Sequence, residues 1–324
     1  MNAPRFWLRD GLLPRLLQPV ASRVATVTAR RLAATEGVDP GCPVICVGNL
    51  TVGGQGKTPV VLAILAYLQA KGLTAFALTR GYGGSLPGPV WVDPAEHSAA
   101  EVGDEPLLLA ATAPTIVAKD RAAGAQAARA AGAQVIVMDD GFQNPAVRKH
   151  VSLIVVDGGA GFGNGRVLPA GPLREPVAAG VARAQAVIRI GADRCGLAAH
   201  LPVGIPLLTA QLVPDGALAW RGRRVFAFAG IGRPQKFFDT LAGIGVEIAG
   251  TRAFADHRPY AATDLDALRR DAAAAGAALV TTAKDFARLL PEDRSGIEVL
   301  PVRLVFEAPD ALDSVLAPVL ERLR

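Results

Sequence analysis

Nowhere in this chain of 324 residues do eighteen uncharged apolar residues follow one another, so a membrane-spanning helix is not expected. Cysteine is scarce: Cys42, Cys46 and Cys195 form no C-x-x-C pair and stand beside no histidine cluster. That excludes a zinc site or a disulfide framework as the organising feature and predicts buried thiols in a reducing compartment. Charged residues are fewer than usual at 19%, against 51% apolar. This balance excludes extensive disorder and predicts a folded chain apart from short ends. The length suits two domains, each with its own core. No internal repeat is found, and Ala272 to Ala278 is helix composition rather than low complexity. The net charge of +5 suits acidic partners such as nucleotides, nucleic acid or anionic lipid, and does not choose among them.

One further absence concerns VICVGNLTVGGQGKTPVVLAIL, residues 44–65. The phosphate-loop pattern G-x-x-x-x-G-K-[ST] begins with glycine, and this chain has Thr51 there. The variant K-G-G-x-G-K-[ST] begins with lysine, and this chain has Val52. The surroundings nevertheless favour a nucleotide site. Val44, Ile45, Cys46 and Val47 read as a strand buried on both faces of a parallel sheet. Pro59 falls in the first turn of the following helix, where a missing N–H does no harm, and Val60, Leu62, Ala63, Leu65, Ala66 and Leu68 give that helix an apolar face. Between them, Thr51, Val52, Gly53, Gly54, Gln55 and Gly56 form the loop, whose glycines let backbone N–H groups turn toward a polyphosphate at a helix N-terminus. Lys57 can reach the outer phosphates, and the Thr58 hydroxyl is placed for Mg²⁺.

Beyond this loop, strands and helices alternate. Strands are expected at Ala75–Thr79, Thr115–Ala118 and Val135–Met138, with a helix over Asp120–Ala131. A second series of strands is expected at Ser152–Val156, Ala186–Ile190, Leu207–Leu212, Val225–Ala229, Ala278–Thr282 and Val299–Phe306, with helices at Arg233–Leu241, Ala261–Ala275 and Ala308–Leu323. The expected fold class is α/β: a P-loop NTPase-like, mainly parallel sheet with helices on both faces, a second smaller α/β domain, and an N-terminal amphipathic helix. The expected division is 1–32 for that helix, 33–150 for the core and 151–324 for the second domain, with a soft boundary after Pro145–His150.

The N-terminal segment carries six arginines (Arg5, Arg9, Arg15, Arg23, Arg30 and Arg31) against Asp10. Leu13, Leu16, Leu17, Val20, Val24 and Val27 recur at helical spacing on one stripe, after Phe6 and Trp7. Two readings follow: an interfacial helix on anionic lipid, or a surface helix packed on the protein's own core. Pro14 and Pro19 are expected to bend or divide it.

Asp139 and Asp140 close an apolar strand, where carboxylates can hold Mg²⁺ directly or through its water; a polar turn is the plainer reading. Asp104 and Glu105 both precede Pro106, although helix capping accounts for only one acid. Lys284 and Asp285 are adjacent, so they are not the guanine-reading [NT]-K-x-D.

In order, GNLTVGGQGKTP (48–59), LTRGYGG (78–84), VGDEP (102–106), MDDGFQ (138–143), LPAGPLREP (168–176), FAGIGRPQKFF (228–238), FADH (254–257) and TTAKD (281–285) make the chain resemble the tetraacyldisaccharide 4′-kinases of lipid A biosynthesis. The resemblance spans almost the whole length. It implies an ATP- and Mg²⁺-dependent kinase acting on the 4′ hydroxyl of a lipid-linked glucosamine disaccharide 1-phosphate. It further implies a peripheral enzyme on the anionic cytoplasmic face of the bacterial inner membrane, with no nucleic-acid partner. Carried over by motif, Lys57, Thr58 and Arg174 would serve the phosphates, and Thr58, Asp139, Asp140 and Glu175 the metal. Asp104 and His257 would form the dyad that receives the sugar proton. One departure is Asn144, where the family commonly has histidine after D-D-G-F-Q. The competing class is a membrane-associated P-loop switch ATPase, against which Val52 and the Asp104, Arg174-Glu175 and His257 segments argue.

Overall fold

A computed structural model describes residues 4–323. Its strands are β1 (Val44–Gly48), β2 (Ala75–Thr79), β3 (Val90–Trp91), β4 (Thr115–Val117), β5 (Val135–Asp139), β6 (Val151–Asp157), β7 (Ala186–Ile190), β8 (Leu207–Pro214), β9 (Arg224–Ala229), β10 (Glu247–Ala253), β11 (Ala278–Thr282), β12 (Ile297–Leu300) and β13 (Val302–Phe306). Nine of them form one sheet in the order β13-β8-β7-β6-β1-β5-β2-β4-β3. Pairing is parallel except at the two edges, where β13 lies antiparallel to β8 and β3 to β4.

Alternation along the central strands divides the core between two faces. Ile45, Val47, Val137 and Leu153 face the helices Lys57–Ala70 and Ala311–Glu321, which bury Ile64, Leu65, Leu68, Leu316 and Val319 there. Val44, Cys46, Met138 and Ile154 face the opposite way, where Ala125 and Ala128 of the helix Arg121–Ala130 and Ala21 of the helix Leu12–Ala34 cover them. All three thiols are free, and burial raises that of Cys46 to about 11.

The boundary expected after residue 150 is not where the sheets divide. β1 pairs with both β5 and β6, so Pro145–His150 connects two neighbours of the same central strand. A Pro-containing charged loop reads like a linker in sequence, but here only Arg148 is exposed, and Val147 is buried and bridged to Val38. The second sheet, order β10-β9-β11-β12, instead spans 224–300 and has apolar clusters of its own around Phe238 and Leu241 and around Leu265 and Leu268. It is inserted between β8 and β13, which are hydrogen-bonded to each other with Val302 opposite Pro214. The single strand expected over Val299–Phe306 is therefore two strands in different sheets. Pro301 stands between them, lacking the N–H a continuous ladder would need.

The N-terminal helix runs unbroken from Leu12 to Ala34 with Pro19 inside it, so Pro19 does not divide it. Its expected apolar stripe separates into two. Leu17 and Val24 pack on the core, whereas Leu16 (68% exposed), Val20 (52%) and Val27 (65%) continue an outward stripe that begins at Leu12 (77%). Trp7 is tied to the body, its indole N–H donating to the Pro169 carbonyl at 3.1 Å.

Candidate active site

Parallel strands deliver their C-terminal ends to one edge of a sheet, and loops from β1, β2 and β5 meet there. After β1 the chain turns through the phosphate loop into the helix beginning at Lys57. Gly56 has φ +83°, a left-handed conformation, and a Cβ there would lie 2.7 Å from Ile190 Cδ1, so glycine is required. At Gly53, with φ +104°, a Cβ would meet nothing within 4 Å, leaving open space beside the backbone. Thr51 is buried and bridges Leu173, and Val52 N–H donates to the Pro172 carbonyl at 2.9 Å. These two residues anchor the loop, while Gly53 and Gly54 are its open part. The Gln55 side chain turns inward and accepts from Asp157 N–H at 2.8 Å.

At the end of β5, Asp139 is fully buried and neither of its carboxylate oxygens has a hydrogen-bond partner. Burial first, and then the field of Glu105, pushes its carboxyl up to about 8 against the opposing pull of Lys57. Asp140 behaves oppositely. Burial works against its ionisation, but Lys57 and Arg174 hold its pKa below the usual value. Lys57 Nζ lies 3.7 Å from Asp140 Oδ1, and Arg174 grips both oxygens of Asp140 at 3.0 and 3.3 Å. Asp140 has φ +50° and His257 φ +59°, the only non-glycine positive values among the described residues. Strain of this kind concentrates at functional positions.

Glu175 is buried and already engaged: Gln143 Nε2 donates to Oε1 at 3.0 Å and Arg183 pairs with Oε2. It is not gathered with the two aspartates, and no group of three His, Cys, Asp or Glu among the described residues is arranged to hold a metal ion. The orphaned oxygens of Asp139 nonetheless fit a cation, because a buried carboxylate without donors lacks the counter-charge that a metal supplies. Thr58, also buried, lies in the first turn of the adjoining helix. Asn144 accepts from Ala146 N–H and organises the turn after Gln143.

The second lobe completes the edge. His257 Nδ1 lies 3.1 Å from Asp104 Oδ2, joining residues 153 apart in sequence. Although burial opposes it, the His257 hydrogen bond and the nearby Lys284 lower the pKa of Asp104. Lys284 Nζ is 3.3 Å from Glu105 Oε1 and 3.3 Å from His257 Nε2, and Arg288 Nε is 3.1 Å from Asp104 Oδ2. The pairing of Asp104 with Glu105 thus has an explanation: one acid holds the histidine, while the other meets Lys284 and acts electrostatically on Asp139. A Cβ on Gly232 would sit 3.8 Å from Gly54 N, so this lobe also approaches the phosphate loop. Sequence reasoning missed Arg183, Arg288 and the Asp157 cluster, and left Lys284 as a turn residue. For Lys284 the signal was its place in TTAKD, and for Arg288 only its four-residue spacing from Lys284, which is common in any helix.

A family model described as Tetraacyldisaccharide-1-P 4′-kinase matches residues 13–321. The tetraacyldisaccharide 4′-kinase of Rhodospirillum centenum is 56% identical over 327 residues, covering 99% of this chain and 97% of that protein. The protein of the same name from Rhodospirillum rubrum is 53% identical over 321 residues, covering 98% and 97%. Among solved structures, an "apo" form of LpxK from Aquifex aeolicus in complex with ATP superposes with a TM-score of 0.76 over 95% of this chain and 99% of that one; at 24% identity it shows the shared fold. The chain belongs to the tetraacyldisaccharide-1-P 4′-kinase family.

Proposed function

We propose that this chain transfers the γ-phosphoryl group of ATP to the 4′ hydroxyl of a tetraacyl glucosamine disaccharide 1-phosphate while docked on the anionic cytoplasmic face of the inner membrane. The observation that carries the reading is the Asp104–His257 contact at 3.1 Å, because it adds a base unit to a phosphate loop. Phosphoryl transfer needs in-line positioning, neutralisation of charge on the transferred group and a base at the attacking oxygen. In this reading the Gly53–Gly54 backbone and Lys57 receive the phosphates, and Arg174 keeps Asp140 oriented toward them. His257 takes the hydroxyl proton, with Asp104 holding its ring. Thr58 and Asp139 would hold Mg²⁺, which when bound neutralises charge on the outer phosphates.

Membrane docking is supported by the outward stripe Leu12, Leu16, Val20 and Val27 on a helix bearing Arg15, Arg23, Arg30 and Arg31. No helix among the described residues is long and apolar enough to cross a membrane. The deciding experiment is incubation with labelled ATP, Mg²⁺ and the lipid-linked disaccharide, followed by location of the new phosphate. Phosphate on the 4′ oxygen is expected. Free phosphate with an unmodified sugar would instead identify an ATPase switch.

A further inference from the structure

We propose that Lys284 is a positioning residue that fixes the tautomer of His257 and guards its proton-accepting nitrogen until a substrate hydroxyl displaces it. The inference rests on the reading of His257 as the base and extends it to a residue that reading does not use.

The geometry begins with donor and acceptor identities. Lys284 carries an ammonium, which has three donors and no acceptor. Its Nζ lies 3.3 Å from His257 Nε2, whereas the other charged group facing that nitrogen, Asp256 Oδ1, is 3.7 Å away and itself 3.8 Å from Lys284 Nζ. The nearer donor leaves Nε2 presenting its lone pair. The ring proton then sits on Nδ1, where Asp104 Oδ2 accepts it at 3.1 Å. Asp104 holds the Nδ1 side of the ring but leaves the far nitrogen without a partner. Lys284 on the far side makes one orientation the satisfied one.

Other groups hold Lys284 in place. Besides His257, it faces Glu105 Oε1 at 3.3 Å, Asp256 Oδ1 at 3.8 Å and Asp104 Oδ2 at 3.9 Å. Burial disfavours its charge, but Glu105, Asp104 and Asp256 outweigh that effect and raise its pKa, so it remains a cation. The short helix Ala283–Ala287 that carries it is capped by the Thr282 hydroxyl, which accepts from Asp285 N–H at 3.1 Å. Asp285 is in turn tied to Gly230 N–H and Tyr260 Oη. On the remaining sides Arg288 reaches Asp104, and the Tyr82 ring stands edge-on to the imidazole at 5.3 Å.

A single Nε2 lone pair accepts one donor at a time. An incoming hydroxyl therefore displaces Lys284, which keeps Glu105 and Asp256 as partners. When the hydroxyl proton moves to Nε2, the new imidazolium lies between Asp104 and the Lys284 ammonium. The ammonium disfavours that charge and promotes release of the proton, returning His257 to its neutral form.

The test uses the full-length enzyme with Mg²⁺-ATP and the tetraacyl disaccharide 1-phosphate in detergent micelles, comparing wild type, Lys284→Met and Lys284→Arg. Removing the ammonium leaves Asp104, Glu105 and Asp256 to favour protonated His257. The acidic limb of the kcat/KM profile should move up by about one pH unit in Lys284→Met, with kcat reduced and the KM for ATP little changed. Lys284→Arg should restore the limb. A limb that stays put in a folded, ATP-binding Lys284→Met overturns the proposal. A second measurement needs no variant at position 284: ¹⁵N spectra of histidine-labelled wild type, assigned with His257→Gln, should show the Nδ1–H tautomer, and the Nε2–H tautomer overturns the proposal. Full activity in His257→Gln would overturn the base reading itself, an outcome separate from either result.

Discussion

A carboxylate without hydrogen-bond donors in a fully buried position needs a counter-charge or a proton, and Asp139 is in that position. With its carboxyl raised to about 8 from 3.8, the folded metal-free protein holds a proton that the unfolded chain releases between those values. Stability should therefore fall as pH rises from about 4 to about 8 and then become independent of this group. Asp139→Asn removes the effect. In EDTA, its stability advantage over wild type should grow by a few kcal/mol from about pH 5 to about pH 8, while phosphoryl transfer is lost. Urea midpoints across that range check this, and an advantage constant with pH would contradict it. Lys57→Ala should leave the fold intact and reduce turnover by about 10²-fold or more. Asp104 and His257 touch, so their removals should not multiply: the double alanine variant should be nearly as active as the worse single. Steady-state turnover of the four proteins decides, and independent multiplicative losses would place the two residues in separate steps.

At the scale of elements, the helix Leu12–Ala34 divides its apolar residues between core and outside. Deleting it would uncover the core beneath Ala21, so deletion confounds folding with docking. The sharper variant replaces Leu12, Leu16, Val20 and Val27 with serine. Burying such side chains in lipid contributes roughly 25 cal/mol per Å² of apolar surface, and each nearby arginine adds about 1 kcal/mol. Flotation with anionic vesicles should show binding weakened at least tenfold, with unfolding temperature and ATP binding little changed. Wild-type binding should also weaken with salt. Equal vesicle binding by variant and wild type would move the membrane contact elsewhere. The stripe's spacing was legible in the sequence. Its division was not, because helical period says that a face is apolar and not what covers it.

Over the whole molecule, the two lobes are joined by the β8–β13 pair and by a polar latch. Asp157, at the end of β6, receives Arg233 Nη1 at 3.0 Å and pairs with Lys236, both from the second lobe, while its own N–H donates to Gln55 of the phosphate loop. The cations are partly exposed, so the pairs contribute little stability by themselves. Their consequence is positional, since the same lobe carries His257. Asp157→Ala should lower kcat/KM by roughly tenfold through misplacement of the base and speed amide exchange over 230–240. Exchange and kinetics both at wild-type values would show that the β8–β13 connection alone sets the lobes.

The sequence by itself determined the local chemistry: a strand buried on both faces, a glycine-rich turn, a Lys-Thr at a helix start, and acids at strand ends. These depend on residue type and short spacing, which the backbone reads within a few residues. Only the tertiary structure decided that β6 to β8 belong to the first sheet, that Glu175 is engaged by Gln143 and Arg183, and that Lys284 faces His257. Each of those depends on parallel crossovers and a lobe inserted between β8 and β13, which bring together residues as far apart as Asp104 and His257. Parallel neighbours are joined by long connections, so sequence distance carries no measure of their separation in space. The partner of a buried charge is chosen at that range.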